Sequence, residues 1–426
     1  MTIEDSTADA PLLTAEFEPV GGAIKQRVED FLVEEIPLYD PAGEGEHVYL
    51  FVEKKNLTTD ETAKALARHF GVRRRDVGVA GQKDKRAITR QVFSVHTPGK
   101  KPEDFPEIRK KGVAVLWVDL HTNKLRTGHL KANRFSVRIR DVDPMRVLEA
   151  NKIVERLARE GVPNYFGPQR FGTRANNHLV AKKLIEGDEV AALQAMLDPG
   201  ESAPADDPVR VARDHFLAGE LPDAIEALPR EMMTENRILR SIARGCDAAR
   251  AFKALPRKDV DFLFCAFQSA VFNRVLADRL RAGQFDKLAM GDIAMRTDNG
   301  ACFVVDDEAM GTIGDRCDSF EVSPTGPLVG EKTLWPAEPS DAHNAERAAV
   351  DAIGVTLEQF AEATGRYGLS LPGARRPLRV RLGDPEIEGG ADEHGAFIRL
   401  AFDLPPGCYA TSVVREISKN TRIVSA

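Results

Sequence analysis

The segment Gly81-Gln82-Lys83-Asp84-Lys85-Arg86-Ala87-Ile88-Thr89-Arg90-Gln91 sets one carboxylate among four cations. Neighbouring positive charge favours an ionised carboxylate. An anion in a basic loop suits nucleophilic or base chemistry on a polyanionic substrate, with cations holding phosphates while Asp84 attacks or abstracts. The same spacing also fits a turn aspartate making surface ion pairs. A second concentration, Asn164-Tyr165-Phe166-Gly167-Pro168-Gln169-Arg170-Phe171-Gly172, combines three aromatics with an arginine. Such a run can stack bases and bind a phosphate through Arg170, or form a boundary turn whose aromatics plug a core. Gln268, Ser269, Asn273 and Arg279 interrupt an apolar helical pattern, where they serve as core hydrogen-bonders or as site residues. Near the C-terminus, Leu404-Pro405-Pro406-Gly407-Cys408-Tyr409 is a rigid turn presenting Tyr409 as a stacking platform or a buried anchor.

The elements around Asp84 can be read from pattern. Thr58-Thr59-Asp60-Glu61 resembles a capping box, and Ala63, Leu66, Ala67 and Phe70 follow at helical spacing before Gly71, which predicts a helix over 60–70. Strands are predicted over 77–80 and 88–95, so 81–86 is a polar loop between them. Residues 131–140 alternate Phe135, Val137 and Ile139 with Arg134, Ser136, Arg138 and Arg140, the pattern of a half-buried strand with a basic outer face. Asp143-Pro144 then starts a helix that ends at Gly161. Residues 178–285 read as largely helical with a loop at 201–210, and strand patterns return after 377. The expected fold class is α+β (mixed α/β), with a strand-rich domain that opens the chain, is interrupted by a helical insertion and resumes at the C-terminus.

Bulk composition bounds the partners. The 426 residues carry a net charge of −7, which argues against coating nucleic acid or an anionic membrane through bulk charge. The charge is uneven, however: residues 61–140 hold 20 Lys and Arg against 7 Asp and Glu, an excess of +13 that leaves −20 for the rest. Five cysteines without a CxxC suggest neither a disulfide framework nor a zinc ribbon, and a reducing cytoplasm is the expected compartment. No run approaches a membrane span by inspection, no secretory leader is legible, and residues 1–21 are expected to be poorly ordered. A P-loop, an HExxH pair and a GxSxG elbow are all missing from the sequence.

These segments together resemble the TruD family of pseudouridine synthases. The resemblance rests on GQKDKRAITRQ (81–91), ANRF (132–135), NYFGPQRFG (164–172), FQSAVFNRVLADR (267–279), SPTGPLVG (323–330), RRPL (375–378) and LPPGCYATSVVRE (404–416), and runs in order from about residue 22 to the end. It implies a V-shaped enzyme without cofactor or metal that isomerises uridine in tRNA, typically uridine 13. A discontinuous catalytic domain (22–161 plus 372–426) would carry an inserted TRUD domain (162–371). Asp84 stands at the family's catalytic position, and Phe31, Asn133, Phe135, Tyr409, Lys25, Lys83 and Arg170 are the implied substrate-binding residues. Phe31, Phe135 and Tyr409 would confine a base taken out of the stack. Tyr409 departs from the Phe of many members and adds a hydroxyl to the π face. A monomer acting on tRNA, with no obligatory protein partner and no membrane, is expected; an RNA-binding or RNA-folding protein without catalysis, or a synthase for other RNAs, is the alternative.

Overall fold

The computed structural model describes residues 10–105, 107–200 and 203–419. The chain forms two compact units: a sheet unit of Leu13–Val162 continued from Val380, and a helical unit of Pro163–Arg379 that also takes in residues 10–12.

The sheet unit is built on eight strands, β1 (Phe31–Pro37), β2 (His47–Lys55), β3 (Val77–Val79), β4 (Ile88–His96), β5 (Val113–His121), β6 (Leu130–Arg140), β7 (Gly383–Asp392) and β8 (Gly395–Leu404). Their order is β7-β8-β6-β1-β4-β2-β5, with β3 on β4. All pairings are antiparallel except β1 with β4, so the sheet is mixed and largely antiparallel. The strands after residue 380 join through β8 to β6, with Phe402 opposite Phe135 and Leu404 opposite Asn133.

Helix α1 (Thr59–His69) forms as the capping box requires: the Glu61 N–H donates to Thr58 Oγ1 at 3.1 Å and the Thr58 N–H donates back to Glu61 Oε2 at 2.7 Å. Its apolar stripe of Ala63, Leu66, Ala67 and Phe70 packs against Val48, Leu50 and Val52 of β2 and Phe93 and Val95 of β4. Helix α2 (Val147–Glu160) buries Ala150, Ile153, Val154 and Leu157 and ends at Gly161, whose φ of 92° favours a residue without a Cβ.

Two expectations are corrected in this unit. Arg140, assigned by alternation to the outer face of β6, is 2% exposed. Its Nε reaches both oxygens of the fully buried Asp30 at 2.8 Å, while Nη1 donates to Asp392 at 2.9 Å. A strand end that meets a buried carboxylate overrides the period-2 reading, and the result fixes the chain immediately before Phe31. Residues 13–21 are also not the loose extension expected. Leu13 and Thr14 donate their N–H groups to the Glu416 carboxylate at 3.0 Å, and Thr14 Oγ1 adds a 2.6 Å bond; residues 1–9 lie outside the described residues.

The helical unit is organised on one long helix, Arg257–Arg281, with a four-stranded sheet ordered Ala374–Pro377, Val322–Leu328, Ile293–Arg296, Cys302–Val304. That helix is long and apolar enough to cross a membrane by length and composition, contrary to the sequence reading, but 78% of its most apolar stretch is buried within the protein. The expected 201–210 loop is shorter: Asp207 caps a helix starting at Pro208, while 201–202 lie outside the described residues.

Candidate active site

Asp84 lies in the loop between β3 and β4, and that loop is pinned from behind by buried polar side chains. Thr59, the first residue of α1, accepts the Lys83 N–H at 2.9 Å and donates to Gln91 Oε1 at 3.0 Å; Gln91 in turn donates to the Gly81 carbonyl at 3.1 Å. Both side chains are fully buried. From β2, Lys54 Nζ donates to the Asp84 carbonyl at 2.8 Å. The polar loop expected between the two strands is therefore fixed at residues 81, 83 and 84.

The Asp84 carboxylate faces outward, 42% exposed, and its Oδ2 accepts from Lys25 Nζ at 2.7 Å. Lys25 has φ of +57°, a left-handed conformation that a lysine rarely adopts, which points its ammonium at Asp84 at some backbone cost. The same ammonium lies 4.2 Å from the centre of the Phe31 ring. Phe31 meets Phe135 edge to face at 6.2 Å, and Phe135 stacks on Phe402 at 5.7 Å. The two phenylalanines are almost wholly buried and touch each other, so they form a joint apolar wall beside the carboxylate rather than an open slot.

Below this wall sits a buried ion pair. Lys83 Nζ is 3.2 Å from Glu35 Oε2, with side-chain exposures of 5% and 1%, and it also donates to Asn133 Oδ1. Burial raises the Glu35 carboxyl above its usual range and lowers the Lys83 ammonium, each opposed by attraction to the other. Lys83 thus points inward and orients Asn133, which differs from the expected contact with substrate. Glu35 escaped the motif reading, although β1 carries a signal for it: Phe31, Val33 and Glu35 share the buried phase.

Lys25, Phe31, Lys83, Asp84, Asn133 and Phe135 are therefore brought together in one unit. Tyr409 enters that unit on a separate element, as the half-buried N-cap of the C-terminal helix Ala410–Ser418, five residues after Leu404. Arg170 belongs to the helical unit, where its Nε donates to Ser269 Oγ at 3.1 Å.

Several cations of the basic stretch 61–140 are paired with carboxylates in three dimensions. Arg73 pairs with Asp76, Arg74 with Asp60, Arg90 with Glu34 and Glu53, Arg134 with Glu386 and Asp403, and Arg138 and Arg140 with Asp392. Lys85 and Arg86, flanking Asp84, make no ion pair among the described residues, and Lys85 is exposed. Positive charge is left uncompensated beside the carboxylate, while the arginines of β6 are paired.

What this arrangement offers is an oriented anion next to an apolar wall, with free cations at its rim. A His/Glu/Asp grouping whose ligand atoms lie within 4.8 Å of one another occurs at His215, Glu220 and Asp223, in the helical unit and away from the residues just described in sequence.

Comparison with known proteins converges on one family. The family model described as tRNA pseudouridine synthase D (TruD) matches residues 8–417. The chain is 40% identical over 412 residues to tRNA pseudouridine synthase D of Geobacter metallireducens (96% of this chain, 98% of that one) and 41% identical over 414 residues to that of Geobacter sulfurreducens (96% and 97%). A crystal structure from Methanosarcina mazei, provisionally named tRNA pseudouridine synthase D, superposes with a TM-score of 0.81 at 27% identity, covering 96% of each chain. A family model spanning nearly the whole chain, relatives at this identity and a shared fold together show that the chain belongs to the tRNA pseudouridine synthase D (TruD) family.

Proposed function

We propose that this protein isomerises uridine to pseudouridine in tRNA, at uridine 13, with Asp84 as the nucleophile and without cofactor or metal. The observation that carries the reading is the Asp84 carboxylate itself: partly exposed, held by Lys25, and set beside the Phe31–Phe135 wall in a chain that matches the family along nearly its full length. In this reading 22–161 and 372–426 make the catalytic domain, 162–371 is the insertion, and the enzyme works as a cytoplasmic monomer without a protein partner or membrane.

The reaction is internally balanced. The C1′–N1 bond breaks, the uracil turns while captured, C5 bonds to C1′, the C5 proton leaves and N1 gains one. Asp84 supplies an electron pair to C1′ or to the ring, the bond so made breaks again and returns the free carboxylate once C5 is joined to C1′, and Lys25 keeps that carboxylate aimed through their ion pair. The apolar wall gives the extruded base a surface that it can turn against, with Tyr409 closing the pocket through its π face and hydroxyl. Asn133, oriented by Lys83, offers its amide to a base edge. Arg170, Lys85 and Arg86 contact phosphates.

Tritium release from tRNA carrying 5-tritiated uridine tests the reading, since the C5 proton must be lost. Release without added metal, with pseudouridine mapping to position 13, is the expected result. Full release by Asp84→Asn would remove Asp84 from the chemistry, and a product at another position would correct the target.

A further inference from the structure

Lys54 occupies a place where a lysine is costly. Along β2, Val48, Leu50, Val52 and Lys54 share the phase that faces α1, so the pattern calls for another aliphatic residue at 54. Lys54 is instead fully buried, with no carboxylate in ion-pair range among the described residues. A buried ammonium without a counter-ion is retained only where its donors are needed. Here the Nζ donates to two main-chain carbonyls, Leu57 at 2.7 Å and Asp84 at 2.8 Å. It ties the turn after β2 to the residue whose side chain is the exposed carboxylate.

We propose that Lys54 is a positioning residue for the reaction: by holding the Asp84 carbonyl it fixes the peptide plane, and with it the direction of the Cα–Cβ bond that aims the carboxylate at Lys25 and the substrate. The inference rests on Asp84 being the reacting group. The working form is the ammonium, because a charged donor holds carbonyls more strongly than a neutral amine. The charged groups that bear on it are Asp84 and Lys83 from the loop and Glu61 from α1; burial dominates them and brings the ammonium down to about 8, so it loses its proton within an accessible range.

The test uses the full-length enzyme and tRNA with 5-tritiated uridine, comparing wild type, Lys54→Met, Lys54→Arg and Asp84→Asn under single turnover between pH 6.5 and 9.5 (roughly the window around an ordinary enzyme optimum and this lysine). Wild type should lose rate above about pH 8 while binding tRNA unchanged. Lys54→Met should be slowed about tenfold or more at pH 7, keep its tRNA affinity within about threefold, and lack the alkaline limb. Lys54→Arg, charged throughout, should recover part of the rate and also lack the limb. A wild-type rate flat to pH 9.5, a limb that persists in Lys54→Arg, or a Lys54→Met enzyme as fast as wild type overturns the proposal. The first two readouts decide the matter even if Lys54→Met does not fold. An active Asp84→Asn would overturn the reading of Asp84 itself, whereas an inactive Asp84→Asn beside an unaffected Lys54→Met overturns only the role of Lys54.

Discussion

The loop around Asp84 and the turn around Phe166 are both dense in polar side chains, yet they use them in opposite ways. At Asp84 the buried groups, Thr59, Gln91 and Lys54, hold the backbone from behind, and the carboxylate is left facing water with Lys25 as its partner. At Phe166 the polar side chains are consumed by the backbone. Asn273 accepts the Phe166 N–H at 2.9 Å and donates to its carbonyl at 3.1 Å, Gln268 donates to the Val329 carbonyl at 2.6 Å, and Arg376 Nη2 donates to Asn164 Oδ1 at 2.6 Å while covering the Phe166 ring at 4.1 Å. The long helix tolerates Gln268 and Asn273 inside its buried stripe because each satisfies a main-chain group that an apolar residue would leave stranded. A polar motif signals chemistry when its neighbours are spent to leave one group unspent, and architecture where, as around Phe166, the side chains are spent on the main chain and on one another.

The contrast is strongest at the two centres. Asp84→Asn should lower tritium release by about a thousandfold or more with tRNA affinity little changed. Lys25→Met should cost about a hundredfold, since it removes the ammonium that donates to the carboxylate at 2.7 Å. Intact turnover in either variant would place the chemistry elsewhere.

Next come the buried charges below the wall. Lys83→Met leaves Glu35 buried without its cation and should destabilise the protein by about 3–5 kcal/mol, whereas Lys83→Met with Glu35→Leu should recover most of that loss. Denaturant melts of the four proteins give the comparison, and additive losses would show that the two groups do not act as a pair. Because burial raises the Glu35 carboxyl, the folded state holds its proton more tightly than the unfolded chain does. Glu35 therefore costs stability as pH rises from the ordinary glutamate range through its raised value, and Glu35→Gln should flatten that part of the stability profile.

In the helical unit the same size of change should act on stability alone. Asn273→Ala removes a hydrogen bond from the Phe166 N–H and another from its carbonyl and should cost about 2 kcal/mol, while turnover per folded molecule stays near wild type. A selective loss of turnover would show that the Phe166 turn has chemical work after all.

The smallest effect concerns salt. Replacing Arg73, Arg74 and Arg75 with alanine should reduce the slope of log affinity against log salt by about one rather than three, because Arg73 and Arg74 are held by Asp76 and Asp60; Lys85→Ala with Arg86→Ala should reduce it by about two. A three-unit change from the arginine triplet would mean that RNA breaks those pairs.

Local elements were legible because their causes are local. The α1 capping box, the stop at Gly161, the β3–loop–β4 run and the alternation of β6 depend on residues a few positions apart, and so did the concentration of cations around Asp84. Tertiary partners decided the rest. Arg140 is buried because Asp30 and Asp392 meet it from 110 and 252 residues away. Lys83 turns inward because Glu35 lies beneath it on β1, and the chain at Leu13 and Thr14 is held because Glu416 reaches their backbone. Lys54 sits between these cases: its phase on β2 was visible, but its meaning required knowing which carbonyl it meets.

The sequence by itself determined the residue types at the site, their order and the family they resemble, since covalent spacing and hydrophobic period are written in one dimension. Which cations remain free was decided only by the fold. Within 61–140, and among the described residues, the arginines of β6 are paired while Lys85 and Arg86 beside Asp84 are not, because the sheet carries acidic side chains from distant strands within ion-pair range, where attraction falls off with distance in space and takes no account of distance along the chain.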